Sequence, residues 1–281
     1  MSYSVIIPAH NEAAFIGMML ESLANQTFLP SCVVVVDDNS TDATYGIAQT
    51  FADRFEKFTV IRNISGTEHL PGSKVIRAFN KGLEVADLNE CIVKLDADLI
   101  LPPQYFQRII ETFQSDSKIG MAGGFAAIVQ DGNWVVENLT DKDHIRGAFK
   151  AYRKECFEQI GGLRPAMGWD TVDELLARYH GWKVVTIAEL QVKHLKPTGA
   201  TYGKEARYKQ GAAFYRLGYG FWITAIAAAK LALRKKKPGL FADYLAGYFQ
   251  AAKSGESLLV SAEQAKWIRN YRWSRMKAKL F

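Results

Sequence analysis

The chain has 281 residues, of which 48% are hydrophobic, 12% aromatic and 23% charged, and its formal net charge is +6. This composition excludes the disordered, collagen-like and coiled-coil classes. The length fits one large α/β domain, or one domain with a smaller appendage, because single hydrophobic cores stop growing at roughly 250–300 residues.

The strands and helices can be predicted in chain order from the hydrophobic pattern. Short, continuous apolar or β-branched runs predict strands of a largely parallel sheet, and these lie at residues 4–7, 33–36, 59–62, 91–95, 121–129 and 133–139. Apolar residues at helical spacing predict helices, and these lie at residues 12–25, 41–55, 75–85, 147–160 and 171–180. Ser40 or Thr41 is the expected N-cap of the second helix. The alternation of strand and helix predicts an α/β fold.

Carboxylates follow two of these strands directly. The run VVVVDDNSTD places Asp38 after the second strand, and LDAD places Asp96 and Asp98 after the fourth. Ligands of open parallel sheets lie at the carboxyl ends of the strands, so these acids are candidates for a binding site. Asp38 could accept hydrogen bonds from a base or a ribose, although an N-cap role is also open.

The Asp-x-Asp pair predicts a metal site. Mg²⁺ and Mn²⁺ prefer oxygen ligands, usually one or two carboxylates together with phosphate oxygens and water. We assign Asp98 to the metal and Asp96 to the sugar of a nucleotide. The alternative is an acidic turn that only caps the next helix.

Four segments, SVIIPAHNE, VVVVDDNSTD, LDAD and GWDTVDELLARYHGW, together resemble the family 2 glycosyltransferases of the GT-A fold over about residues 1–200. The resemblance implies a GT-A catalytic domain at residues 1–205, with a mostly parallel sheet flanked by helices, and a helical, basic C-terminal region at residues 206–281. It also implies that Asp96 and Asp98 hold Mg²⁺ or Mn²⁺ and the donor diphosphate. The nucleotide-binding residues that it implies are Pro8, Ala9, Asn11, Glu12 and Asp38.

Three further expectations concern side chains around the nucleotide. The segment GSKVIRAFNKGL looks like the Gly-Lys helix of the family, which suggests that Lys74 or Arg77 approaches the nucleotide. His194 matches a family position where a histidine completes the metal shell or touches the diphosphate. Of the other histidines, His10 is a candidate for the pocket wall, and surface positions are expected for His69, His144 and His180.

The catalytic base of the family is the Asp of a Glu-Asp pair that opens a helix about eleven residues before a glycine. Counting back from Gly181 gives Asp170, with Trp169 where the Glu usually stands. Asp173 and Glu174 remain alternatives for the base. Acids in a first helical turn also stabilise the helix dipole, so a purely structural role is open for all three.

The positive charge is concentrated near the C-terminus. Residues 230–281 carry 12 Lys and Arg against 3 Asp and Glu, a balance of +9, which leaves −3 for the first 229 residues. Residues 217–229 contain no charge, but they fall short of the roughly 20 that span a bilayer. This pattern predicts a helix lying on an anionic membrane surface; the alternative is a helix packed on the body. No nucleic-acid partner is expected, because no reader motif accompanies the basic residues.

A second basic cluster falls in the predicted helix at residues 147–160 and just before it. Helical spacing would give its members one common face that could meet a phosphate-bearing acceptor, and a solvated face is the alternative. The cluster consists of Arg146, Lys150, Arg153 and Lys154.

The N-terminus has no basic region followed by an apolar stretch of signal-peptide length. Single cysteines at Cys32, Cys91 and Cys156 predict neither a disulfide framework nor a CxxC metal site. We therefore expect a cytoplasmic protein that is peripheral on the inner face of the membrane.

These observations predict an inverting, metal-dependent glycosyltransferase in cell-surface glycan synthesis. The expected partners are a nucleotide-sugar donor, with UDP-sugar preferred, and a saccharide or lipid-linked acceptor. One alternative is a sugar nucleotidyltransferase, although PAHNEAAF lacks the glycine-rich loop of that class. The other is a non-catalytic sugar-nucleotide-binding membrane scaffold, which Trp169 would favour.

Overall fold

The computed structural model describes residues 1–66, 72–137, 143–196 and 205–278, with residues 205–207 described by their backbone alone. These residues form nine strands and ten helices. The strands are β1 (Tyr3–Ala9), β2 (Cys32–Asp38), β3 (Phe58–Asn63), β4 (Cys91–Leu95), β5 (Leu99–Ile100), β6 (Ile119–Gln130), β7 (Asn133–Val136), β8 (Phe149–Arg153) and β9 (Lys183–His194). The helices are α1 (Ile16–Ala24), α2 (Thr44–Gln49), α3 (Ser73–Val85), α4 (Tyr105–Ser115), α5 (Lys154–Gln159), α6 (Trp169–Tyr179), α7 (Glu205–Arg216), α8 (Gly220–Arg234), α9 (Leu240–Lys253) and α10 (Ala262–Lys277).

The strands form one mixed sheet in the order β3-β2-β1-β4-β8-β6-β9-β5, with β7 paired to β6. Strands β1 to β4 run parallel, with Ile6 opposite Val34 and Val5 opposite Val93. Every residue of β1, β2 and β4 is buried, as expected for parallel strands that are covered by helices on both faces. Their carboxyl ends therefore open on one edge of the sheet.

The predicted helix at residues 147–160 is wrong. Residues Phe149–Arg153 instead form β8, which lies antiparallel between β4 and β6, and only Lys154–Gln159 is helical. Sheet pairing overrides the helical spacing, because Phe149 lies opposite Leu95 and the strand fills the centre of the sheet. Lys150 has 0% of its side chain exposed, so the four basic residues form no common helical face toward an acceptor.

The second helix is shorter than predicted. It spans only Thr44–Gln49, and a separate 3₁₀ turn follows at Ala52–Arg54. Neither predicted cap residue caps it: the Ser40 hydroxyl accepts a hydrogen bond from the Asn11 backbone N–H. The Asp42 carboxylate instead accepts a bond from the Thr44 backbone N–H at the start of the helix.

Helices α7 to α10 pack on one another and on α6, where the Tyr179 and Trp267 rings meet edge to face. Helix α7 packs closely on α9 at two glycines, Gly211 and Gly247. A Cβ added at Gly211 would lie only 1.9 Å from the Tyr244 carbonyl oxygen. None of the helices in the described ranges is long and apolar enough to cross a membrane.

Candidate active site

The carboxyl ends of β1, β2 and β4 border a cleft of about 1020 Å³. Residues predicted from separate sequence segments meet there, namely Pro8, Ala9, His10, Glu12, Asp38, Lys74, Asp96, Asp98, Asp170 and His194. The wall also contains residues that the sequence did not point to, including Lys94, Met167, Gln210, Lys235, Lys237, Leu240 and Tyr244.

Asp38 occupies the end of β2 and has a fixed carboxylate. The Asn63 side-chain amide donates to Oδ1 at 2.6 Å, and the Ser65 hydroxyl donates to Oδ2 at 3.1 Å. The His10 Nδ1 lies 2.6 Å from the backbone carbonyl oxygen of Asp38. The Asp38 carboxylate is therefore a positioned hydrogen-bond acceptor at the carboxyl end of β2, where a base or ribose could donate to it.

Asn11 and Glu12 shape the loop after β1. Asn11 has a φ of 54°, and its Oδ1 accepts a bond of 2.8 Å from the Thr41 backbone N–H. Asn11 therefore joins the loop after β1 to the loop after β2 and does not itself line the cleft. Glu12 does line it, and its carboxylate lies 2.5 Å from the Lys196 ammonium, while burial raises the pKa of Glu12.

The structure separates the two candidates on α3. Lys74 lines the cleft, and its Nζ donates to the Gly66 carbonyl oxygen at 2.5 Å. Arg77 is exposed and lies outside the cleft wall. Lys74 is thus the residue that could approach a nucleotide.

Asp96, Asp98 and His194 form a cluster that could hold a cation, with one ligand atom from each lying within 4.8 Å of the others. The Nε2 of His194 lies 3.2 Å from Oδ2 of Asp98. Its Nδ1 is buried without a hydrogen-bond partner among the described residues. Two carboxylates and one imidazole, whose Nδ1 has no other partner among the described residues, suit a divalent cation such as Mg²⁺ or Mn²⁺.

Lys94 is a buried cation that sequence reasoning missed. Its ammonium forms a hydrogen bond with Asp96 and lies 5.3 Å from the ring centroid of Trp169. The available signal was a single lysine inside the otherwise apolar strand CIVKL. A buried lysine almost always has a charged partner, and here that partner is an acid of the Asp-x-Asp pair.

The three acids of α6 occupy different environments. Asp170, in the first turn, keeps 34% of its side chain exposed and lines the cleft. Asp173 is buried and accepts hydrogen bonds from the Tyr152 hydroxyl at 2.7 Å and from Lys150 at 3.0 Å. Glu174 is buried and accepts a bond of 2.9 Å from the Ile145 backbone N–H. Of these three acids, Asp170 alone lines the cleft.

His144 lies between two of these acids, so the expected surface position was wrong. Its Nε2 is 3.7 Å from Asp170, and its Nδ1 is 3.2 Å from Glu174. Burial opposes its charge, but the two carboxylates raise the pKa of His144 to about 9. Burial alone would raise the pKa of Asp170, but the hydrogen bond from His144 and the nearby charges of Lys150 and Arg146 hold it well below its usual range.

Trp169 stands where the family resemblance leads one to expect an acid. Its side chain is buried, and its ring lies near the ammonium groups of Lys94 and Lys150. The ring packs closely on Gly147, where an added Cβ would lie 2.6 Å from Cζ2 of the indole. Although Trp169 stands in place of the expected Glu, the next residue, Asp170, lines the cleft.

The profile of Glycosyl transferase family 2 matches residues 4–165, more than half of the chain. The chain belongs to this family. One relative is the dolichol-phosphate mannosyltransferase of Pyrococcus furiosus, 29% identical over 206 residues, which are 66% of this chain and 55% of that protein. The chain spans about half the length of the curated relatives that it matches first. The first of these relatives are named as glycosyltransferases.

Two solved structures share its fold. The mannosyltransferase PcManGT from Pyrobaculum calidifontis, in complex with GDP-Man and Mn²⁺, aligns over 99% of this chain and 80% of that chain, with 18% identity and a TM-score of 0.58. TarS 1-349 of S. aureus, in complex with UDP-GlcNAc, aligns over 97% of this chain and 79% of that chain, with 18% identity and a TM-score of 0.57. The predicted GT-A fold, a mixed, mostly parallel sheet flanked by helices, is confirmed.

Proposed function

We propose that this member of glycosyltransferase family 2 is an inverting, metal-dependent glycosyltransferase that moves a sugar from a UDP-sugar to a hydroxyl of a saccharide or lipid-linked acceptor in cell-surface glycan synthesis. The observation that carries the proposal is the meeting of Asp38, Asp96, Asp98 and Asp170 in a single cleft. A second supporting observation is that related structures were solved with nucleotide sugars, GDP-Man in PcManGT and UDP-GlcNAc in TarS.

In this proposal the nucleotide lies along the ends of β1 and β2. Asp38 accepts hydrogen bonds from the base or ribose, and the loop Pro8–Glu12, held in shape by Asn11, forms the adjoining wall. Lys74 supplies a positive charge from α3. Asp96 contacts the sugar of the nucleotide.

Asp98 and His194, with Asp96 beside them, would hold the divalent cation. When bound, the cation neutralises negative charge that develops on the leaving diphosphate. The buried ammonium of Lys94 keeps Asp96 oriented and limits the negative charge of the cluster.

Asp170 acts as the general base. As the acceptor oxygen forms its bond to the anomeric carbon and the bond to the diphosphate breaks, the hydroxyl proton passes to the Asp170 carboxylate. A single displacement of this kind inverts the anomeric configuration. His144, Lys150 and Arg146 keep Asp170 ionised, because their charges lower its pKa.

The outer surface of α8 and α9 supports a peripheral position on the inner face of the membrane. Trp222 is 71% exposed and Leu233 is 75% exposed. Phe221 and Phe249 are also exposed, and their ring centroids lie 5.7 Å apart. Exposed aromatic and aliphatic side chains of this kind insert at the boundary between head groups and acyl chains.

Product analysis tests the proposed reaction. The protein is incubated with UDP-glucose or UDP-GlcNAc, Mn²⁺ and an acceptor mixture, and the released products are separated. Nucleoside diphosphate and a glycoside of inverted configuration support the proposal. In a parallel incubation with added pyrophosphate, formation of UTP and a sugar 1-phosphate identifies a nucleotidyltransferase. Binding of UDP without turnover on any acceptor identifies a scaffold.

Cosedimentation with vesicles that contain anionic lipid tests the membrane position. Trp222→Ser should weaken vesicle binding several-fold, since an interfacial tryptophan is lost. The matched control is Trp134→Ser, because Trp134 is also exposed but lies on β7 of the sheet. Equal binding by both variants would contradict the proposed orientation.

A further inference from the structure

Two lysines of the basic C-terminal region lie in the cleft. Lys235 and Lys237, in the turn between α8 and α9, line the same cavity as Asp170. Backbone hydrogen bonds fix this turn, because the Lys235 N–H donates to Leu231 and the Lys237 N–H donates to Ala232. The sequence suggested that this basic run faces a membrane, whereas the fold places two of its exposed lysines along the cleft.

Neither lysine has an ion-pair partner within the described ranges of the chain. The charge of Lys237 acts on Lys235, because partial burial, and then that charge, lower the pKa of Lys235. Neighbouring cations that repel each other in a partly desolvated position form a favourable site for an anion.

The turn belongs to the C-terminal helices, which lie against the segment that precedes Asp170. Helix α9 contributes Leu240 and Tyr244 to the same wall and packs on α7. Helix α7 in turn contacts the segment before the base, since a Cβ added at Gly168 would meet Leu217 at 3.5 Å. The two lysines and Asp170 therefore line one cleft and belong to elements that are linked through α9 and α7, whereas Asp38 lies at the end of β2.

We propose that Lys235 and Lys237 bind the phosphate of an anionic acceptor and so make the enzyme select acceptors whose reactive hydroxyl lies near a phosphate group. This inference rests on the proposed function. Two ammonium groups can each donate a charge-assisted hydrogen bond to phosphate oxygens, which would orient the acceptor hydroxyl toward Asp170. The phosphate could belong to a lipid head group or to a soluble phosphorylated compound, and the chemistry of recognition is the same.

Calorimetry on the full-length protein, saturated with UDP and Mn²⁺, tests the inference with two probes. Glycerol 3-phosphate represents a soluble phosphate, and dihexanoyl phosphatidic acid, kept below its micelle concentration, represents a lipid phosphate. The test variant is Lys235→Gln/Lys237→Gln. The charge-matched control is Lys236→Gln/Lys253→Gln, because both of these lysines are exposed and lie outside the cleft wall.

We expect the dissociation constant of at least one probe to rise at least tenfold in the test variant, since two charge-assisted hydrogen bonds are lost. The control variant should bind both probes as the wild type does. The affinity of the test variant for UDP with Mn²⁺ should stay within about twofold. The probe that the wild type binds identifies the source of the phosphate.

Three results would overturn the inference: no binding of either probe by the wild type, an equal loss in both variants, or a loss of UDP affinity in the test variant. The last result would assign the lysines to the donor. Failure of the proposed function looks different, because the wild type would then either not bind UDP with Mn²⁺ or bind it without transferring sugar to any acceptor in the product analysis.

Discussion

At the scale of single residues, the site depends on one buried ammonium. Lys150 has 0% of its side chain exposed and lies 3.0 Å from Asp173 and 3.1 Å from Glu174. Its Nζ also donates to the backbone carbonyl of Asp170 at 2.5 Å. Lys150 therefore neutralises the structural acids of α6 and positions the residue that we propose as the base.

Replacing this lysine should destabilise the fold. Lys150→Met leaves two buried carboxylates without their cation, and breaking a buried pair in this way costs about 3–5 kcal/mol of unfolding free energy. Urea denaturation measures the change, with Lys118→Met as the control because Lys118 is exposed. A variant as stable as the control would show that Asp173 and Glu174 are satisfied without Lys150.

His144 should make stability depend on pH. Its pKa is raised from 6.5 to about 9 by Glu174 and Asp170, so the folded protein holds this proton more tightly than the unfolded chain does. The stabilisation is complete below pH 6.5 and is lost as the pH rises through 9, and it amounts to roughly 3 kcal/mol.

The measurement compares urea denaturation of the wild type and of His144→Gln at pH 6 and pH 10. The difference in unfolding free energy between the two proteins should shrink by about that amount at the higher pH. His180→Gln serves as the control histidine variant. A difference that does not change with pH would mean that His144 is not charged in the folded protein.

The sequence predicted the carboxylate residues of the site better than the lysines and the histidine that contact them. Asp38, Asp96 and Asp98 directly follow predicted strands, so local pattern located them, and the family resemblance pointed to Asp170. His144 and Lys150 act through carboxylates that are more than 20 residues away along the chain, and no local spacing reveals such partners. Lys94 pairs with Asp96 two residues on, and its local signal was a single charge in an otherwise apolar strand. Between Asp170, Asp173 and Glu174, only burial and hydrogen bonding could decide.

At the scale of elements, the C-terminal helices depend on a close contact between α7 and α9. An added Cβ would lie 1.9 Å from the Tyr244 carbonyl at Gly211 and 2.0 Å from the Tyr208 carbonyl at Gly247. Backbone atoms cannot move aside as a flexible side chain can. The two helices therefore pack at this distance only because both positions are glycine.

Gly211→Val should separate these helices. We expect a loss of unfolding free energy of about 1–3 kcal/mol or more, as for other overpacked sites. The turn that carries Lys235 and Lys237, which directly precedes α9, should also become less fixed in position. Thermal denaturation measures the loss. Gly46→Ala in α2, where nothing lies within 4 Å of an added Cβ, should instead be neutral or slightly stabilising; equal behaviour of the two variants would contradict the close contact.

Elements with a strong local pattern were predicted well, and those set by distant pairing were not. The parallel strands β1, β2 and β4 are continuous apolar runs, so their sequences predicted them. Strand β8 has residues that also fit a helical spacing, and its structure follows from pairing with β4, whose partner residues lie more than 50 positions away. Sequence periodicity contains no information about that pairing.

At the scale of the whole molecule, the body and the C-terminal region contribute to one cleft. The first 229 residues carry a net charge of −3 and the remainder +9. The body supplies the acids that would hold a nucleotide and a cation, and the basic region supplies Lys235 and Lys237 to the same cavity. The sequence suggested two separate regions, and the fold brings them together around one site.

Asp170→Asn provides the most direct test of the central claim that Asp170 is the general base in this shared cleft. The variant should bind UDP with Mn²⁺ within about twofold of the wild type, but its rate of sugar transfer should fall by about a hundredfold or more, since a general base is removed. Transfer at a near-normal rate, measured alongside unchanged nucleotide binding, would contradict the account and move the role to another group in the cleft.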